Sequence, residues 1–212
     1  YTSVMIDGSK LPLEENIALT NKILDMARPL DISVEAELGK IGGTEDNVSV
    51  SEREATFTDP AEAKRFVDET GIKSLAIAIG TAHGQYKGTP KLDFERLEEI
   101  KKLVNIPIVL HGSSGVPDED IRKAISLGVR KVNIDTDIRL AMTAATRQYL
   151  FENPSKFDPR DFLKVARKAA TELCKQRYLQ FGCEGMASRI KPLPLDVVAA
   201  RYADGTLRQN VL

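Results

Sequence analysis

Histidine is almost absent from this chain, with two in 212 residues, and cysteine is as scarce. Cys174 and Cys183 fall in a helix-like stretch with no Cys-x-x-Cys spacing and no close histidine, which favours two free thiols over a bridge or a metal pair. Two reduced thiols fit a cytoplasmic protein. No apolar run approaches the roughly 18 residues needed to cross a bilayer, and no signal-peptide pattern opens the chain. No membrane partner is expected. An excess of one charge is missing too: 30 Lys and Arg face 31 Asp and Glu. No broad field therefore draws the protein to nucleic acid or to an anionic surface, and any anion must be bound by local groups. What remains, 42% hydrophobic and 29% charged residues, supports a core for one globular domain rather than a disordered or fibrous chain.

The two histidines are spent in one way. "IKSLAIAIGTAHGQYKG" (72–88) runs an apolar stretch into His83 and Gly84, and "NIPIVLHGSSG" (105–115) repeats the design with His111 and Gly112. The rest of the chain alternates strand-like and helix-like periodicity. Strands are expected over 2–6, 32–37, 73–79, 107–110 and 129–134. Helices are expected over 11–30, 58–71, 93–104 and 117–127, from about 138 onward, over 159–181 and over 194–205. The segment 38–57 reads as a long polar loop, of the kind that carries function or acts as a lid.

Five strands, each followed by a helix, suit either an open doubly wound sheet or part of a (β/α)8 barrel, and in both the chemistry gathers at the carboxyl ends of the strands. Here those ends carry Asp7, Glu37, His83, His111 and Asn133 with Asp135. A single histidine after a strand is commonly a hydrogen-bonded surface residue. Two at equivalent exits of adjacent strands point into a shared space, where a catalytic zinc would take about three protein ligands and keep one position open. The glycines that follow let backbone N–H groups approach an anion, and "HGSSG" and "NIDTD" each precede a helix N-terminus. A metal beside a phosphate site suggests a phosphosugar.

"YTSVMIDGS", "VEAELGKIGGTED", "AIGTAHGQYKG", "IVLHGSSG" and "VRKVNIDTD" stand in the order and approximate spacing of one family. From residue 1 to about 190 the chain resembles the class II, metal-dependent fructose-bisphosphate aldolases. The resemblance implies a (β/α)8 barrel of which this chain supplies about the fourth to eighth strands, with 1–190 as a partial barrel domain and 191–212 as a C-terminal extension holding a short helix. Because "YTSVMIDGS" enters a strand without a methionine, further sequence is expected upstream. That missing part would hold the family's Asp-His pair, its catalytic aspartate and a metal ligand.

By resemblance, His83 and His111 are zinc ligands, and Glu37 is the carboxylate beneath the metal. Glu45 resembles the mobile acid/base. Gly84, Lys87, Gly112, Ser114, Asp135 and Thr136 resemble the pocket around the ketose phosphate, and Asn133 a contact to substrate oxygens. Arg189 resembles the arginine that reaches the second phosphate, often from a neighbouring subunit. The implied cofactor is Zn2+, with a monovalent cation as a further candidate, in a homo-oligomer, dimer or tetramer. The implied reaction is aldol cleavage of fructose 1,6-bisphosphate to dihydroxyacetone phosphate and glyceraldehyde 3-phosphate. Two alternatives are a tagatose-bisphosphate aldolase, whose substrate differs at one stereocentre, and a catalytically incomplete half-barrel. The residue types suit the chemistry, since cleavage between C3 and C4 leaves a carbanion whose charge a Lewis acid on the adjacent oxygen can spread. A loop carboxylate that closes over substrate can move the C1 proton while excluding water.

Overall fold

A computed structural model describes residues 1–45, 48–50, 56–84, 86, 88–191 and 194–203. Five strands form one parallel sheet: β1 (Ser3–Ile6), β2 (Ser33–Leu38), β5 (Ser74–Ile77), β7 (Ile108–Leu110) and β8 (Val129–Val132). They lie side by side in chain order, each pairing in parallel with the next. A doubly wound sheet reverses direction at a switch point, whereas a barrel adds each strand beside the last. The unbroken order therefore marks an arc of a (β/α)8 barrel.

Helices cover the outer face because their apolar stripes match the strands' outward side chains. Val34, Ala36, Leu75, Ile77 and Ile108 pack with Leu24 of α1 (Leu13–Ala27), Phe66 of α2 (Pro60–Thr70), Leu97 and Ile100 of α3 (Phe94–Leu103) and Ile121 of α4 (Asp118–Ser126) in one core. The signals in the sequence set the helix ends. Asp59 caps α2 by accepting from the backbone N–H of Ala61 and Glu62, Pro60 opens the first turn, and Gly71 closes it at φ 69°. Residues 28–30 continue α1 as a 3-10 turn rather than as α-helix, since Pro29 has no N–H to give.

The segment 38–57 is not a plain loop. It holds β3 (Gly42–Glu45) and β4 (Val48–Val50), an antiparallel pair with Glu45 opposite Val48. The short β6 (Ala82–His83) adds to β3 in parallel, making a second, three-stranded sheet above the first. Gly43 permits this approach: at φ +102°, a Cβ there would lie 2.0 Å from the His83 carbonyl oxygen.

Beyond β8 the chain makes a hairpin of two long helices, α5 (Thr136–Glu152) and α6 (Pro159–Gln180), which pack on each other. α5 buries no residue fully and α6 only Ala166. Arg177, on α6, reaches back to both helix N-termini that flank the site, pairing with Asp118 in the first turn of α4 (3.3 Å) and with Asp137 in the first turn of α5. A 3-10 turn (Met186–Arg189) and α7 (Leu195–Ala203) follow. No helix among the described residues is long and apolar enough to cross a membrane.

Candidate active site

The exits of β5, β7 and β8 meet in one cleft lined by His83, Gly84, His111, Gly112, Ser113, Ser114, Asn133, Asp135, Thr136 and Arg139. Side chains alternate across a strand, so Glu35 and Glu37 of β2 share its inner face while Val34 and Ala36 face the helices. This places two carboxylates against one imidazole. His111 is 3% exposed; its Nε2 lies 3.0 Å from Glu35 Oε1 and its Nδ1 3.2 Å from Glu37 Oε2. Burial pulls the pKa of His111 down, but hydrogen bonds to Glu35 and Glu37 outweigh it and raise the value to about 9. Burial works against ionisation of Glu35 too, yet hydrogen bonds from His111 and Lys131 hold its pKa below the ordinary carboxylate value.

The second histidine is placed by backbone. His83 sits in β6, and its ring centroid is 6.1 Å from that of His111, tilted by 35°. Tyr86 clips the two histidine-bearing segments together: its hydroxyl accepts from the Ala82 N–H (2.6 Å) and donates to the Gly112 carbonyl (2.7 Å). Gly112, at φ +61°, makes the close pass possible, because a Cβ there would meet the Ala82 carbonyl oxygen at 2.6 Å.

The opposite wall is polar. Ser114 and Ser113 are buried, and Ser114 Oγ accepts from the Asp137 N–H at the start of α5 (3.2 Å). The Asn133 N–H donates to the Leu110 carbonyl (2.9 Å), which holds the β8 exit against that of β7. Arg139 pairs with Asp135 at 2.7 Å on the rim.

His83, Gly84, His111, Gly112, Ser114, Asn133, Asp135 and Thr136 thus come together as expected, with Glu37 against His111. Asp7 does not join them; it is exposed and accepts from the Ser9 N–H in a local turn. Arg189 stands exposed in the turn after α6 and does not line the cleft. The backbone of Glu45 ends β3, but its side chain lies outside the described part of the structure, and Lys87 lies outside the described residues. Glu35, Tyr86, Lys131 and Arg139 were not singled out by sequence. Glu35 had a signal, a second carboxylate two residues before Glu37 in an otherwise apolar strand; Tyr86 had none in its spacing.

Two imidazoles with an adjacent carboxylate are donors that suit Zn2+. Among the described residues, no group of three or more His, Cys, Asp or Glu side chains closes on one ion position. His83 and His111 therefore offer two donors, with Glu37 next to the second.

An arc of barrel strands whose exits bring two histidines and two buried serines into one cleft is the form of a strand-exit site in a (β/α)8 barrel. The fructose-bisphosphate aldolase class-II family model matches residues 1–186, and the chain belongs to that family. Among solved structures it resembles the YdjI aldolase from Escherichia coli K12, with 38% identity and a TM-score of 0.74 over 88% of this chain and 63% of that one. It also resembles a fructose-bisphosphate aldolase from Campylobacter jejuni, with 27% identity and a TM-score of 0.69 over 86% of this chain and 61% of that one. The chain thus spans less than two thirds of either relative's length.

Proposed function

We propose that the complete protein carrying this chain is a zinc-dependent lyase that cleaves and forms the C3–C4 bond of fructose 1,6-bisphosphate. The observation that carries this reading is the pair of imidazoles, 6.1 Å apart, in the same cleft as the Ser113–Ser114 and α5 N-terminal wall. His83, His111 and Glu37 would hold the ion, which when bound polarises the substrate ketone. Backbone N–H groups at the start of α5, with Gly84, Lys87, Gly112, Ser114, Asp135 and Thr136, would hold the ketose phosphate. Asn133 would orient the substrate's oxygens. In the condensation direction Glu45 would take the C1 proton of dihydroxyacetone phosphate, leaving the bonding pair to attack the aldehyde carbon. Arg189, exposed here, would serve the second phosphate in the site of a neighbouring subunit, which makes the working form a homo-oligomer in the cytoplasm. Residues 1–190 would form the barrel part and 191–212 an appendage to it.

The test is cleavage of fructose and tagatose 1,6-bisphosphates side by side by the complete protein, as purified, after chelation and after Zn2+ is restored. Chelator-reversible cleavage of the fructose substrate is expected. Glu45→Gln should keep its metal while kcat falls by about 10²–10⁴, the usual loss for a missing general acid/base. A metal-loaded protein that cleaves neither substrate overturns the reading, and a preference for tagatose bisphosphate overturns its substrate.

A further inference from the structure

Glu35 does not line the cleft, yet it is 4% exposed and touches groups from three neighbouring strand segments. Its Oε1 accepts from His111 Nε2 (3.0 Å) and Lys131 Nζ (3.0 Å), and its Oε2 from Lys131 Nζ (3.0 Å) and Ser74 Oγ (3.3 Å). Ser74 opens β5 directly opposite Glu35 in the sheet register, Lys131 is on β8, and His111 follows β7. An ionised carboxylate accepts at about four lone-pair positions and donates at none. All four are used here, and each partner arrives as a donor. Lys131 and Ser74 also anchor the carboxylate from both sides, so it cannot swing away from the ring.

We infer that Glu35 is a positioning residue that holds the Nε2 proton of His111 in place, so that a metal ion, when it binds, replaces the other proton, the one on Nδ1 that faces Glu37. The inference rests on the proposed role of His111 as a ligand. A carboxylate behind a ligating histidine fixes both its tautomer and its ring orientation, and losing it typically weakens metal binding about 10–100-fold. The purely structural alternative is that Glu35 and Lys131 are an ion pair filling the barrel's interior. That role would leave the choice of nitrogen untouched.

Two readouts on the complete protein separate these roles. In the metal-free state, nitrogen-labelled His111 is expected to show a slowly exchanging Nε2 proton that is lost in Glu35→Ala. In the cadmium-loaded state, metal–nitrogen coupling should appear at Nδ1 of His111. Zn2+ affinity, from competition with a chelator, should fall about 10–100-fold in Glu35→Ala. Glu35→Gln, which keeps its bulk and an acceptor for Nε2–H, should recover most of that loss and controls for folding. Coupling at Nε2, Glu35→Ala affinity equal to that of the unsubstituted protein, or no recovery in Glu35→Gln each overturns the inference. If these readouts hold while neither ketose bisphosphate is cleaved, the proposed reaction fails and the role of Glu35 stands.

Discussion

His83 and His111 leave neighbouring strands of the sheet in the same manner, but they are held by different forces. His111 is buried and locked by charge, with a carboxylate on each ring nitrogen. His83 is half-buried and is placed by main chain, through a two-residue strand laid along Gly42 and Gly43 and a tyrosine clip. One side of the cleft is therefore stiff because moving it would expose unpaired charge. The other is positioned by backbone hydrogen bonds of a small sheet, each worth about 0.5–1.5 kcal/mol net, and that same sheet carries Glu45.

The largest effect that can break this comparison is removal of each ring. His83→Ala and His111→Ala should each abolish stoichiometric Zn2+, measured by elemental analysis, because two remaining donors hold a catalytic ion poorly. Only His111→Ala should also cost about 3 kcal/mol of folding stability in the metal-free protein, since it leaves Glu35 and Glu37 buried without the donor between them. His83→Ala, at a half-buried ring, should cost less. Denaturant melts of both variants decide, and equal losses would erase the distinction.

A smaller effect is expected from Gly43→Ala. Its Cβ would enter the His83 carbonyl at a positive φ, so the β3–β6 pairing should loosen at a cost of about 1–3 kcal/mol. Nuclear magnetic resonance should show the His83 ring signals shifted and those of His111 unmoved. The smallest effect belongs to Tyr86→Phe, which keeps the ring and deletes only the hydroxyl that joins the two sides. About 1 kcal/mol should be lost by denaturant melt, with the signals of both histidine segments broadened together. Broadening confined to one segment would mean that the clip does not couple them.

What was legible in the sequence follows the same divide. The parallel sheet could be read because its strands are apolar runs, and α2 because Asp59, Pro60 and Gly71 mark its ends locally. The paired histidines and the Ser113–Ser114 turn could be placed at the cleft because strand exits of such a sheet converge. The sheet of β3, β4 and β6 could not be read. Its strands are two to four residues long, and it forms only because Gly42 meets Ala82 across forty residues of chain. Glu35 stayed hidden for a related reason: its partners Ser74, His111 and Lys131 are far apart in sequence and meet only through the strand register. Asp7 shows the converse, since a polar residue at a strand exit was spent on a local turn.

If the cleft takes a phosphate as proposed, the link from Arg177 to Asp118 and Asp137 bears on how it would do so. Asp118, Glu119 and Asp120 stand in the first turn of α4 and Asp137 in that of α5, where carboxylates would repel such a guest. The guanidinium, with its side chain only 17% exposed, pairs with Asp118 and Asp137, so the field of those two is offset at short range. The partial positive charge of the α5 N-terminus is then opposed less by Asp137. A residue on the far helix of the hairpin, with no place in the cleft, thereby tempers the charge beside it.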